Sequence, residues 1–214
     1  MKKKMKKRRL RARWLFLLLL APALLVIATT AMLVIYIVNA DSLKSAVKDL
    51  PDTWTEVQLP EENIPLYKEA AEIYGIPWQL LAAHHRIETK FSTMDPLLSP
   101  VGAEGHMQFM PCTFVGWSHP TCSDLGAGEI PEEDKTDPDV IAHYGGYGVD
   151  GDGDGIADPY NLVDALHSAA HYLSDNGAAD GDLDGAIFEY NRSEKYVKDI
   201  LHYYHLYEQE YVSE

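Results

Sequence analysis

The chain has 214 residues, 18 Lys+Arg against 33 Asp+Glu, and a formal net charge of −15. That length holds one ordinary domain with extensions, or two very small ones. The acidic balance argues against a nucleic-acid binder, which needs a basic footprint, and 46% hydrophobic residues argue against a wholly disordered chain.

The average hides an asymmetry. Nine of the cations lie in residues 1–13 and no acid precedes Asp41, so the remainder carries nine cations against 33 acids, a balance of −24. Between these two regions, residues 14–38 run for 25 positions without a charge. A helix of that length reaches roughly 37 Å, enough to cross a hydrocarbon core of about 30 Å. Lys and Arg stay on the cytoplasmic side, so the basic tail faces in and the acidic remainder faces out. A cleaved signal peptide is the alternative, because Val38-Asn39-Ala40 resembles a small-residue cleavage site. Signal cores, however, run only about 7–15 residues. The expectation is a retained single-pass membrane anchor with an extracellular domain.

Residues 39–60 are polar, with Pro51 and Pro60, and read as a stalk. The domain is expected over 61–214. A first helix opens at Ile64-Pro65 and runs to Tyr74, closed by Gly75 as helices commonly are. Pro77 suits the first turn of a second helix reaching about Phe91. Its core stripe is Leu80, Ala83 or His84, Ile87 and Phe91, with Glu88 beside it. A loop-rich stretch follows, with a short helix expected from about Gln108. Late helices are expected over 162–175 and 193–211, the second with Ser193 as its N-cap. No stretch alternates with period two for long enough to make a sheet, so the fold class is mostly α. In an outward-facing domain Cys112 and Cys122 are expected to form a structural bridge, rather than two free thiols or an incomplete metal pair.

Two groups of residues carry chemistry. A glutamate such as Glu88, at the edge of an apolar stripe, is partly desolvated, which raises its pKa and suits it to general acid work. Some ten residues on, Gly102, Ala103 and Gly105 allow close backbone approach, followed by the amide of Gln108. The plain alternative is a glycine-rich turn capping a helix. The second group is Asp150, Asp152, Asp154 and Asp158 with Gly155, in the spacing of an EF-hand-like calcium loop over 150–161. Its other expected ligands are Ile156, through its carbonyl, and Asn161, which stands where a bidentate Glu is usual. Asp164 reaching back is the alternative closure. No HExxH occurs, so a zinc hydrolase is not expected, and the nine histidines read as packed or surface residues, with His106 alone placed to line a cleft. Tyr203, Tyr204, Tyr207 and Tyr211 on the last helix read as core packing.

The array Glu88-Thr89, Ser99-x-x-Gly102-Ala103-x-Gly105-x-Met107-Gln108-x-Met110-Pro111 and Tyr190-Asn191 resembles the lytic murein transglycosylases. The resemblance spans about residues 62–205 and implies a lysozyme-like fold that cleaves peptidoglycan glycan strands. It implies that Glu88 is the sole catalytic acid/base, with Thr89 replacing the usual serine. Substrate-binding roles are implied for Thr89, Ser99, Gly102, Gly105, Met107, Gln108, Tyr190 and Asn191. No catalytic cofactor is implied. The calcium is expected to be structural, as some members carry such a loop. Asp95 is the nearest candidate for a second carboxylate; if it acted, the enzyme would be a hydrolysing muramidase.

Overall fold

The computed structural model describes residues 58–211. The basic tail, the apolar segment 14–38 and most of the stalk lie outside the described residues. Among the described residues no helix is long and apolar enough to cross a membrane.

The described chain is mostly helical, with no strand. Eight helices follow in order: α1 (Ile64–Tyr74), α2 (Trp78–Thr89), α3 (Pro111–Val115), α4 (Glu132–Lys135), α5 (Pro138–Tyr144), α6 (Leu162–Asp175), α7 (Leu183–Tyr190) and α8 (Glu194–Glu210). α1 has a proline in its first turn and ends at Gly75, whose φ of 68° lies in the left-handed region that glycine enters without steric cost. Asn161 caps α6 by accepting from the Val163 N–H, and Ser193 caps α8 by accepting from the Tyr196 N–H.

α2 is the centre of the fold. It packs against α8 on one side and α1 on another, and α6 touches it as well. Six consecutive residues, Leu80 to His85, are wholly inaccessible to solvent. The expected single stripe is therefore corrected: a helix enclosed on several sides is apolar nearly all round. Leu166 and Leu173 of α6, Ile187 of α7, and Ile200 and Tyr207 of α8 complete this core. Each large apolar side chain so enclosed contributes about 1.5–3 kcal/mol.

Two boundaries differ from expectation. α2 stops at Thr89 rather than near Phe91, because Lys90, Phe91 and Ser92 have φ of 50°, 58° and 66°. Three successive left-handed residues end the ladder; the N–H groups of Lys90 and Phe91 turn back onto the carbonyls of Arg86 and His85. The short helix begins at Pro111, not Gln108, since Gln108 itself has a φ of 52°. Residues 97–109 instead form a tight double turn, with isolated bridges from Glu104 to Leu98 and to Phe109. Cys112 and Cys122 are joined by a disulfide. Asp137 caps α5 through its side chain, a helix hidden in the loop-rich reading of that stretch.

Candidate active site

Glu88 stands one residue from the end of the buried helix α2. Its side chain is partly buried against the core that covers the rest of that helix, and it accepts a hydrogen bond from the hydroxyl of Tyr196 on α8. Burial raises its pKa from 4.5 to about 7, with the Tyr196 bond acting in the opposite direction. The helix C-terminus also disfavours a negative charge there. No second carboxylate among the described residues acts on it. Asp95 is exposed, in the turn before Pro96.

Aromatic rings wall the carboxyl. Tyr190 and Tyr196 lie parallel, 6.5 Å between centroids, and the His84 ring sits 4.8 Å from Tyr190. Burial holds both phenols well above their usual pKa, so they remain neutral donors. His84 Nδ1 lies 3.0 Å from the Tyr196 hydroxyl. Burial drives the pKa of His84 down to about 3, so it is neutral.

The glycine-rich stretch is tied to this helix from two sides. Tyr190 donates to the Met107 carbonyl at 2.8 Å. Thr89 donates to the His106 carbonyl at 2.8 Å and accepts from the Ser92 N–H at 3.1 Å. A second line of bonds links Tyr67, His85, Ser92, His106 and the Tyr160 carbonyl, with contacts of 2.8, 2.7, 2.6 and 2.8 Å. Its direction is fixed by its end. A carbonyl only accepts, so the neutral His106 ring carries its proton on Nε2 and accepts on Nδ1 from Ser92. Ser92 then accepts from His85 Nε2, and His85 Nδ1 accepts from Tyr67. Every proton in the line points toward Tyr160.

These bonds revise several of the implied substrate contacts. Thr89, 1% exposed, and Met107, fully buried, turn into the fold, so their side chains position the motif rather than meet a ligand. Gly105 is buried, and a Cβ there would lie 1.9 Å from the Pro159 carbonyl oxygen. Its smallness serves the approach of a neighbouring backbone segment, not of a sugar. Ser99 accepts from the Ala103 N–H at 2.8 Å, closing the turn that contains Gly102. Gln108, Tyr190, Met110, Trp117, Tyr172 and Arg192 are among the residues lining a cavity of about 290 Å³. Gln108 donates through Nε2 to the Gly105 carbonyl at 2.8 Å, and Asn191 is exposed beside Tyr190. Glu88 is not itself in that lining, which includes its neighbour Tyr190.

The acidic loop adjoins the same motif. The His106 N–H donates to the Pro159 carbonyl at 3.0 Å. Within the loop, ligand oxygens of Asp150, Asp152 and Asp164 lie within 4.8 Å of one another. That all-carboxylate donor set fits a hard divalent cation such as calcium. Asp164 is the member that the twelve-residue pattern left out; it accepts from the N–H groups of Gly151, Asp152 and Asp158. The Asn161 oxygen caps α6, and its amide donates to Asp152 at 2.7 Å. Asp154 and Asp158 fall outside the close group, each bonding the N–H two residues on, and Ile156 is half-exposed at the loop's tip.

Tyr196 carries no local signal in the sequence. An aromatic residue in the first turn of a helix reads as core, and only the packing of α8 on α2 sets its hydroxyl against Glu88. No protein family, curated protein or solved structure matches this chain.

Proposed function

We propose that the chain is a lytic transglycosylase whose residues 61–214 form a lysozyme-like domain, held outside the cytoplasmic membrane by residues 14–38. Its substrate is the MurNAc-GlcNAc β-1,4 bond of peptidoglycan, and its product ends in 1,6-anhydro-MurNAc. The observation that supports this reading is the partly buried carboxyl of Glu88, with a pKa of about 7, a phenol donor and no carboxylate acting on it among the described residues. A retaining glycosidase needs a second carboxyl about 5–5.5 Å away and an inverting one about 6.5–9.5 Å away. One group working in both directions suits intramolecular ring closure. Glu88 protonates the bridging oxygen, then as carboxylate accepts the proton of the muramic C6 hydroxyl as that oxygen attacks C1. A pKa near neutrality serves both halves.

The glycine-rich turn and Gln108, with Tyr190 and Asn191, border the glycan path in this reading. Thr89 and Met107 act from behind by fixing the turn. Bound calcium at Asp150, Asp152 and Asp164 stiffens the loop whose Pro159 and Tyr160 carbonyls hold His106; it takes no part in the bond cleavage.

The test is digestion of purified peptidoglycan by the full chain in detergent, with Glu88→Gln as control, followed by mass spectrometry. Anhydro-muramyl ends absent from the control are the expected products. Reducing ends would replace the reading with a muramidase, and unchanged glycan would leave a non-catalytic binding module.

A further inference from the structure

The side chain of His84 lies wholly inside the protein, yet only one of its ring nitrogens is engaged. Nδ1 is 3.0 Å from the Tyr196 hydroxyl, while Nε2 finds no hydrogen-bond partner among the described residues. A buried imidazole with one orphaned nitrogen is an unfavourable arrangement, and a same-sized apolar ring would avoid the cost. His84 sits one helical turn before Glu88, on the same helix, and both contact the same phenol oxygen.

The protons in this group can be assigned. The Tyr196 hydroxyl has one proton, which goes to Oε1 of Glu88 when that group is a carboxylate. Its oxygen can then only accept from His84, so the neutral imidazole carries its proton on Nδ1. The other tautomer would set the Nδ1 lone pair against the phenol oxygen or pull the phenol proton away from Glu88. Exchange of the two tautomers requires a proton at Nε2, and that atom touches no donor or acceptor among the described residues. The groups facing Glu88 are Tyr196 and Tyr190, both neutral, and among the described residues no charged side chain acts on Glu88.

We propose that His84 is a positioning residue: through Tyr196, its Nδ1–H keeps Oε1 of Glu88 permanently an acceptor and leaves Oε2 as the oxygen that carries the transferable proton. The arrangement rests on Glu88 being the acid of the proposed reaction. It adds a direction to that acid, because a carboxylic proton confined to one oxygen is already aimed when substrate arrives. Donation into the phenol oxygen also strengthens the phenol as a donor to Glu88, since bonds in a chain polarise one another.

The experiment is an infrared pH titration of the full chain in detergent, with the Glu88 carboxyl band assigned by its loss in Glu88→Gln. His84→Phe and the smaller His84→Leu both remove the donor; His84→Asn keeps one near the Nδ1 position. The expected result is a Glu88 midpoint raised by about half a unit in the Phe and Leu variants. Asn brings it back toward the native value. In a Tyr196→Phe background the His84 substitutions have no further effect, because their path to Glu88 is gone. An unchanged or lowered midpoint in His84→Phe and His84→Leu, or an equal shift with and without Tyr196, overturns the proposal. Turnover adds a second reading, with kcat expected to fall roughly ten-fold at unchanged KM. If the protein leaves peptidoglycan untouched, the proposed function fails while the titration still decides the role of His84.

Discussion

The hydroxyl of Tyr196 donates to Oε1 of Glu88, a residue 108 positions earlier in the chain. This bond lowers the pKa of Glu88 while burial raises it more strongly, and the balance lies at about 7. In the proposed glycan-cleaving reaction, Glu88 as the acid must enter protonated. Activity on peptidoglycan is therefore expected to fall as pH rises through about 7. A rate that holds level from pH 6 to pH 9 would exclude Glu88 as the acid.

The same carboxyl has a cost in stability. Its pKa is raised from 4.5 in the unfolded chain to about 7 in the fold, so the fold holds a proton that the unfolded chain releases between those values. Stability from this group is complete below pH 4.5 and lost as pH rises to 7, a loss on the order of 3 kcal/mol. His84 and His85 act oppositely: both are lowered from 6.5 to about 3, so each costs stability as pH falls below 6.5. Together the three groups place maximal stability near pH 6.5. Glu88→Gln is expected to stabilise the protein at pH 8 and to have little effect at pH 4, read by chemical denaturation at the two values. Equal effects at both would contradict the raised pKa of Glu88.

Gly105 and Gly75 provide a matched comparison. Both have left-handed φ, 77° and 68°, but a Cβ on Gly105 meets the Pro159 backbone at 1.9 Å while one on Gly75 meets nothing within 4 Å. Gly75→Ala is expected to cost about 1 kcal/mol, from backbone conformation alone. Gly105→Ala adds a backbone collision and should lower the melting temperature by several times as much. Similar melting temperatures for the two variants would contradict the packing of the acidic loop on the glycine-rich turn.

Tyr190→Phe removes one hydroxyl and leaves the Met107 carbonyl without that donor. A loss of about 1–3 kcal/mol follows from an unpaired buried carbonyl. If the bond also sets the glycine-rich turn, turnover should fall with it at a temperature where the variant remains folded. Full stability in the variant would show that the latch contributes nothing.

For the acidic loop the expected outcome is a calcium-dependent rise in melting temperature. Asp152→Ala combined with Asp154→Ala should abolish it. Asp164→Asn should weaken it as well, since Asp164 supplies the third oxygen of the close group. A melting curve indifferent to chelator would remove calcium from the account.

Much of the helical framework was legible in local patterns. Ile64–Tyr74 and Leu162–Asp175 are bounded by a proline, a glycine and an asparagine cap, each of which acts over one turn. The end of α2 was not, because the left-handed run of Lys90, Phe91 and Ser92 is held by bonds that Ser92 makes to Thr89 and His106 and accepts from His85. The acidic loop was legible in part: its spacing left Asn161 and Asp164 as alternative closures, and in the fold the Asn161 oxygen caps α6 while Asp164 lies close to Asp150 and Asp152.

The sequence by itself determined the mostly helical class and the caps that bound the long helices, and it placed Glu88 at the edge of an apolar stripe, where a glutamate is most often a surface residue. It also determined the charge asymmetry, since a sum of −15 divides into a basic segment 1–13 and an acidic remainder. Only the tertiary structure decided what Glu88 is chemically. Its raised pKa needs a core that encloses α2 on several sides, and its proton needs Tyr196 and His84, brought together by the packing of α8 on α2. Desolvation and hydrogen bonding depend on distances in space, and residues 108 apart in the chain leave no local pattern that records them.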